Sequence, residues 1–345
     1  MVFATELWAA VGALIDRASV DGVVVHKLAP LAAGRRRAAG EPVPEALAAE
    51  ERAASFAALS ATALLGRIRE LGEGPIVLLK GPEVAALYPQ NGRRFGDVDV
   101  LTPDAAALHR ALREHGFVDV DTKGFEPLEH HHLPPLRWPV VPLVVEVHAS
   151  PNWPRGMHAP PLAEILEAAV PSIVGVKGIS APRPLHHALL LTAHAWAHGP
   201  LQTLRDLVDV AALAAGEERA ELDRLAAAWG IRRVWRTTRQ AVDALFAGGP
   251  RPAALRIWAR HLNAVRERTV FENHLQAALH PFWGRPLAPA LLESMAAIRT
   301  DLVPAPGESW KTKLQRIPRA VREARMPVSQ RPQATAEEIS SGSTG

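Results

Sequence analysis

The run Asp97-Val98-Asp99-Val100-Leu101 sets two carboxylates two positions apart inside an apolar segment. Alternate side chains of a strand share a face, so Asp97 and Asp99 point one way while Val98 and Val100 point into a core. Two like charges this close repel each other and are costly to desolvate. A divalent cation relieves both problems, and oxygen ligands favour Mg²⁺ or Mn²⁺. The same pattern also occurs on the wet face of a half-buried strand with no ion at all. A second run, Leu143-Val144-Val145-Glu146-Val147-His148, carries one acid inside an apolar strand, with His148 on the face of Glu146. That acid is expensive unless it is paired, metal-bound or turned to water at a sheet edge. Three carboxylates from two neighbouring strands are what a two-metal phosphoryl-transfer site requires.

Leu78-Leu79-Lys80-Gly81-Pro82 reads as a strand that ends in Lys80 and passes directly into a helix. Backbone N–H groups at such a start favour phosphate, Gly81 lets the backbone come close, and Lys80 adds a point charge. An ordinary strand-to-helix turn has the same appearance. His187, Leu191, His194 and His198 fall on one face of a helix, but the glutamate of an H-E-x-x-H zinc motif is missing. They read as structural or substrate-pocket histidines. His130-His131-His132 lies in an extended stretch, where successive side chains diverge, so a surface or substrate-lining role is favoured over a shared ion. Asp209, among apolar residues of a helix, calls for a buried partner, with Arg205 at i, i+4 spacing a candidate.

The elements that must hold these residues follow from the pattern. Residues 4 to 32 read as largely helical, 33 to 44 as a loop, and 44 to 71 as a long helix stopped by Gly72 and Gly74. Short strands at 76–79, 97–101, 117–120 and 143–148 alternate with helices, which suits a small mixed α/β sheet. Helices resume at 185 and run to 272. The expected layout is an N-terminal helical region at 1–62, an α/β (α+β) core at 63–180, a C-terminal helical domain at 181–325 and a disordered tail at 326–345. Lys311, Lys313, Arg316, Arg319, Arg322 and Arg325 give a basic segment, in which Pro318 is expected to interrupt a regular helix. The net charge is only +3 and there is no cysteine, so disulfides and thiolate metal sites are excluded. No apolar run reaches membrane-spanning length and the N-terminus lacks a secretory pattern, so the cytoplasm is expected.

Taken in order, Leu79-Lys80-Gly81, Tyr88-Pro89, Arg93-x-x-x-Asp97-x-Asp99 and Glu146-x-His148 resemble an uncharacterised bacterial nucleotidyltransferase family of the DNA polymerase beta-like superfamily. Its Lys-Gly stands where many relatives have Gly-Ser. The likeness covers residues 60 to 215 well and the rest loosely. It implies that Asp97, Asp99 and Glu146 are the catalytic metal ligands of a two-metal Mg²⁺ or Mn²⁺ site. It implies that Lys80, Gly81 and Arg93 contact nucleotide phosphates, with Arg94 an extra basic neighbour able to do so. His148, His194 and His198 become candidate substrate-pocket residues. Ala149 stands where relatives often have an aromatic residue, and Trp153 follows a little later.

The implied reaction moves a nucleoside monophosphate from an NTP to an acceptor and releases pyrophosphate. The acceptor is open: a small molecule, a peptide, a protein or an RNA, with nucleic acid not favoured and no membrane partner expected. One alternative is a non-catalytic nucleotide-binding scaffold on the same fold. Another is a hydrolytic histidine metal site.

Overall fold

The computed structural model describes residues 4–120, 131–304 and 309–330. Four helices precede the sheet: α1 (Ala4–Ile15), α2 (Val20–Val25), α3 (Ala29–Ala38) and α4 (Glu45–Leu71). The α/β segment holds β1 (Ile76–Leu78), α5 (Pro82–Ala85), β2 (Asp97–Leu101), α6 (Ala105–Glu114), β3 (Val118–Asp119), β4 (Leu136–Arg137) and β5 (Val144–His148). It continues through α7 (Leu162–Glu167), β6 (Val170–Pro171) and β7 (Ile179–Ala181). Next come α8 (Pro184–His198), α9 (Leu204–Ala214), α10 (Arg219–Ala228) and α11 (Arg232–Phe246). The last described helices are α12 (Ala253–Ile257), α13 (Arg260–Ala264), α14 (Val270–Leu279), α15 (Pro281–Gly284), α16 (Leu287–Leu302) and α17 (Trp310–Glu323). The fold is α+β, and no described helix is long and apolar enough to cross a membrane.

The seven described strands form one mixed sheet in the order β3-β4-β5-β2-β1-β7-β6. At its centre β2 runs parallel to β5 and antiparallel to β1. Alternation then separates two faces. Ile76, Leu78, Val98, Val100, Val145 and Val147 share one buried cluster with Ala57, Ala61, Leu64, Leu65 and Ile68 of α4. The spacing of those α4 residues makes an apolar stripe, in which each fully buried Leu or Ile stabilises by about 1.5–3 kcal/mol. Val77, Leu79 and Leu101 belong instead to a second cluster, with residues of α1, α8, α9 and α11. The N-terminal and C-terminal helices thus share a core on the face that carries Asp97, Asp99, Glu146 and His148.

Some local expectations fail for identifiable reasons. Residues 29–38 form α3 rather than a loop from 33: Ala29, Leu31, Ala32 and Ala33 are buried in the helical core, and Arg35 and Arg37 pair with Asp16 and Glu51. The stretch from 252 to 272 is broken, with Val265 in a left-handed conformation (φ 44°) between α13 and α14. Pro318 lies inside α17 without ending it. Helix α4 crosses residue 62 without a break. Of the tail expected from 326, residues 326–330 lie against 267–270, through Val270 N–H to Met326 O at 3.0 Å and Val328 N–H to Arg268 O at 3.1 Å. Residues 331–345, like His130, fall outside the described residues.

Candidate active site

Parallel pairing of β2 with β5 sets Asp97 opposite Val144, Asp99 opposite Glu146 and Leu101 opposite His148. The carboxylates therefore come from adjacent strands and share one face, as the sequence alternation requires. Asp99 is almost wholly buried, at 1 % exposure. His148 Nε2 lies 3.2 Å from Asp99 Oδ1 and 3.6 Å from Glu146 Oε2. Asp99 Oδ2 and His148 Nδ1 are buried without a hydrogen-bond partner. Asp99, Glu146 and His148 each offer a ligand atom, all within 4.8 Å of one another. Asp97 is only half-buried and lines the neighbouring cleft.

Burial opposes a charge on either group of the Asp99–His148 pair, but the pair overcomes it. The Lys80 ammonium and the His148 hydrogen bond hold the Asp99 carboxyl well below the usual carboxylate range. For His148, burial is outweighed by its hydrogen bonds to Asp99 and Glu146 and by their charges, which raise its pKa to about 9.

Helix α8 covers this face. His187 Nε2 contacts the carbonyl oxygen of Leu79 at 2.5 Å, and the Lys80 ammonium donates to His194 Nε2 at 2.8 Å. Burial first, and then the Lys80 charge, keep His194 neutral, with a pKa well below its ordinary value. His198 packs on His194, ring centres 4.6 Å apart, and its Nε2 meets Asn152 Nδ2 at 3.2 Å. A lysine hydrogen-bonded to His194 is a poor companion for a cation, which weighs against a zinc site on the His194–His198 pair. His131 and His132, expected to diverge, both lie against His148, with ring centres 5.0 and 5.2 Å away. The chain bends at His131, and His132 pairs with His148 in an isolated bridge.

Of the groups expected to face phosphate, Lys80, Arg93 and Arg94 line the cleft beside Asp97, and each also has a protein partner. Gly81 has φ 67° and ψ −121°, and a Cβ there would stand 2.6 Å from the Asp97 carbonyl oxygen. Its lack of a side chain is thus used for packing against β2. Arg93 reaches the cleft's edge but is only 2 % exposed, with Nε and Nη2 each 2.8 Å from an oxygen of Asp209. Asp209 also accepts from the Tyr88 hydroxyl at 2.6 Å. The partner of Asp209 is therefore Arg93, and Arg205 pairs weakly with Asp206 at 3.7 Å. Arg94, more exposed, forms an ion pair with Glu50. Beside Asp97 opens a cleft of about 640 Å³, whose lining includes Lys80, Glu146, Lys27, which the sequence did not single out, and Arg205, expected only as a partner for Asp209. Neither stands in a recognisable motif. Lys27 sits in the turn after α2 and Arg205 in the first turn of α9, 178 residues further along the chain.

The site is thus built on a mixed sheet with acids on two adjacent central strands, covered by helices. Residues 8–247 match the family described as "Uncharacterised nucleotidyltransferase", and the chain belongs to that family. Neither the curated proteins nor the solved structures give a match. The family supports nucleotidyl transfer as the activity, and the Asp99–Glu146–His148 group is able to hold a metal ion.

Proposed function

We propose that this protein transfers a nucleoside monophosphate from an NTP to an acceptor hydroxyl or equivalent nucleophile, with Asp97, Asp99 and Glu146 as its metal-binding carboxylates. The observation that carries this reading is the β2–β5 register, which puts Asp99 opposite Glu146 with Asp97 two residues along the same face. The residues fit a divalent ion. Asp99 Oδ2 is a buried carboxylate oxygen with no protein partner, and Asp97 and Glu146 add carboxylate oxygens on the same face. Such an oxygen donor set suits Mg²⁺ or Mn²⁺. When bound, the ion neutralises charge on the phosphates and on the in-line transition state.

The chain's own groups supply the rest. His148 orients Asp99 through their hydrogen bond and is in turn held by β5. Glu146, 23 % exposed beside the cleft, is placed to take the acceptor proton as the acceptor oxygen bonds to the α-phosphorus and pyrophosphate leaves. The buried face beneath α8 keeps Lys80 fixed against His194 beside Asp99.

Calorimetry of NTP binding with and without Mg²⁺ or Mn²⁺, in the wild type and in Asp97→Asn, Asp99→Asn, tests the reading. Metal-dependent binding that disappears in the double variant is expected. Metal-dependent binding that survives it removes these acids from the site.

A further inference from the structure

Within the described residues, most of the positive charge near the acids already has a protein partner. Lys80 donates to His194, Arg93 forks onto Asp209 and Arg94 pairs with Glu50. The Lys27 side chain has no hydrogen bond or ion pair among the described residues, and the Arg205 side chain has the 3.7 Å contact with Asp206, whose Oδ2 accepts from Thr203 Oγ1 at 2.7 Å. Both Lys27 and Arg205 line the 640 Å³ cleft that also holds Asp97.

Their proximity is built in. His26, fully buried, accepts the Leu204 N–H at Nδ1 (3.3 Å), and its carbonyl accepts the Arg205 N–H (3.3 Å). His26 also stacks on His261, ring centres 5.8 Å apart, and His261 Nε2 meets the carbonyl of Gln202 at 3.2 Å. The start of α9 is thereby stitched to the end of α2. Lys27 follows His26 in a left-handed conformation, φ 58°, which a side-chain-bearing residue adopts at a cost. The Arg205 charge, and then burial, press the Lys27 pKa below its ordinary value. The fold thus holds two cations together at some expense, next to a carboxylate face. An anion bound between them offsets that repulsion.

The geometry points to Lys27 and Arg205 as a clamp for the terminal phosphates of the nucleotide and for the pyrophosphate that leaves. This rests on the nucleotidyltransferase reading above, and it puts the phosphate grip in the turn after α2 and the first turn of α9 rather than in the Lys80-Gly81 turn. The chemical class of the ligand is an inorganic or nucleotide-borne polyphosphate. A nucleoside monophosphate, lacking the outer phosphates, gains little from the clamp.

The test is calorimetric titration of full-length protein with Mg²⁺ pyrophosphate, an NTP and the matching NMP. It compares the wild type, Lys27→Met, Arg205→Met, the charge-keeping Lys27→Arg and Arg205→Lys, and Asp97→Asn, Asp99→Asn. Each neutralising variant is expected to weaken pyrophosphate and NTP binding about tenfold, the size of one charge-assisted contact, with NMP affinity shifted far less. The charge-keeping variants recover most of the loss, which separates charge from folding. NTP binding that is lost in the aspartate variant but unchanged in Lys27→Met and Arg205→Met overturns the clamp and leaves the nucleotidyltransferase reading intact. Equal losses for NMP and NTP also overturn the clamp. Absence of NTP and pyrophosphate binding in the wild type overturns both.

Discussion

Arg93 and Asp209, 116 residues apart, meet as a forked ion pair with two contacts of 2.8 Å, sealed from water on both sides. The pair fastens α9 to the segment leading into β2. Tyr88 completes it by donating to Asp209, and itself packs on Trp8 of α1 at 4.9 Å. Three parts of the chain therefore converge on one carboxylate. Removing one member leaves the other's charge buried and uncompensated. Arg93→Met or Asp209→Leu should each destabilise the protein by about 3–5 kcal/mol, while the double change should cost clearly less than the sum. Chemical denaturation of the four proteins measures this. Near-zero losses in the single variants would show that water reaches the pair.

Gly81 sets the spacing between β1's end and β2. With φ 67° and only 2.6 Å between a would-be Cβ and the Asp97 carbonyl oxygen, Gly81→Ala must move the strand that carries the acids. A loss of about 2 kcal/mol or more in stability is expected from the strain and overlap. Nucleotidyl transfer should fall more steeply than stability alone explains, because Asp97 shifts with its backbone. Thermal melts and activity measured at a temperature where the variant stays folded separate the two effects.

How the site reads from the sequence depends on the range of the interaction. The faces of Asp97, Asp99, Glu146 and His148 follow from strand alternation, a local property, and the structure sets all four on one side of the sheet. The α8 face of His187, His194 and His198 follows from helical period in the same way. The partner of Asp209 was not legible, because i, i+4 spacing suggested Arg205 while the tertiary fold brings Arg93 to it. The meeting of Lys27 with Arg205 was not legible for the same reason: the His26 stitch, linking residues 178 positions apart, brings them together. The expected strand at 117–120 is present as β3, whereas the two-residue strands β4 and β6 carry too few residues for a periodic signal and form because neighbouring strands supply hydrogen bonds.

Metal binding should register as stability. The Asp99–Glu146–His148 group holds a buried carboxylate oxygen without a partner, so an ion that binds only the folded protein shifts unfolding by mass action. At a hundred times its dissociation constant, Mg²⁺ or Mn²⁺ should add about 2.7 kcal/mol. Thermal melts with increasing Mn²⁺, and with chelator, should show a rising midpoint in the wild type and a flat one in Asp99→Asn. An equal rise in both proteins would place the stabilising ion elsewhere.

The His26 stitch gives the fold a defined acid sensitivity. Burial, only partly offset by nearby backbone carbonyls, lowers the His26 pKa to about 4. Its Nδ1 must stay unprotonated to accept from Leu204 N–H. In the unfolded chain the imidazole takes up a proton near its ordinary pKa of 6.5. Because the folded value is the lower one, the unfolded state binds the proton more readily. The contribution of His26 is therefore full above pH 6.5 and is lost as the pH falls from there toward 4. Between pH 7 and pH 5 this one residue should account for about 2 kcal/mol of lost stability. His26→Asn places an amide oxygen where Nδ1 stood, an acceptor that does not titrate. Urea unfolding of both proteins across that range should show the variant losing about 2 kcal/mol less than the wild type. Parallel curves would mean that His26 already exchanges protons freely in the folded protein, and that the link between α2 and α9 opens without cost.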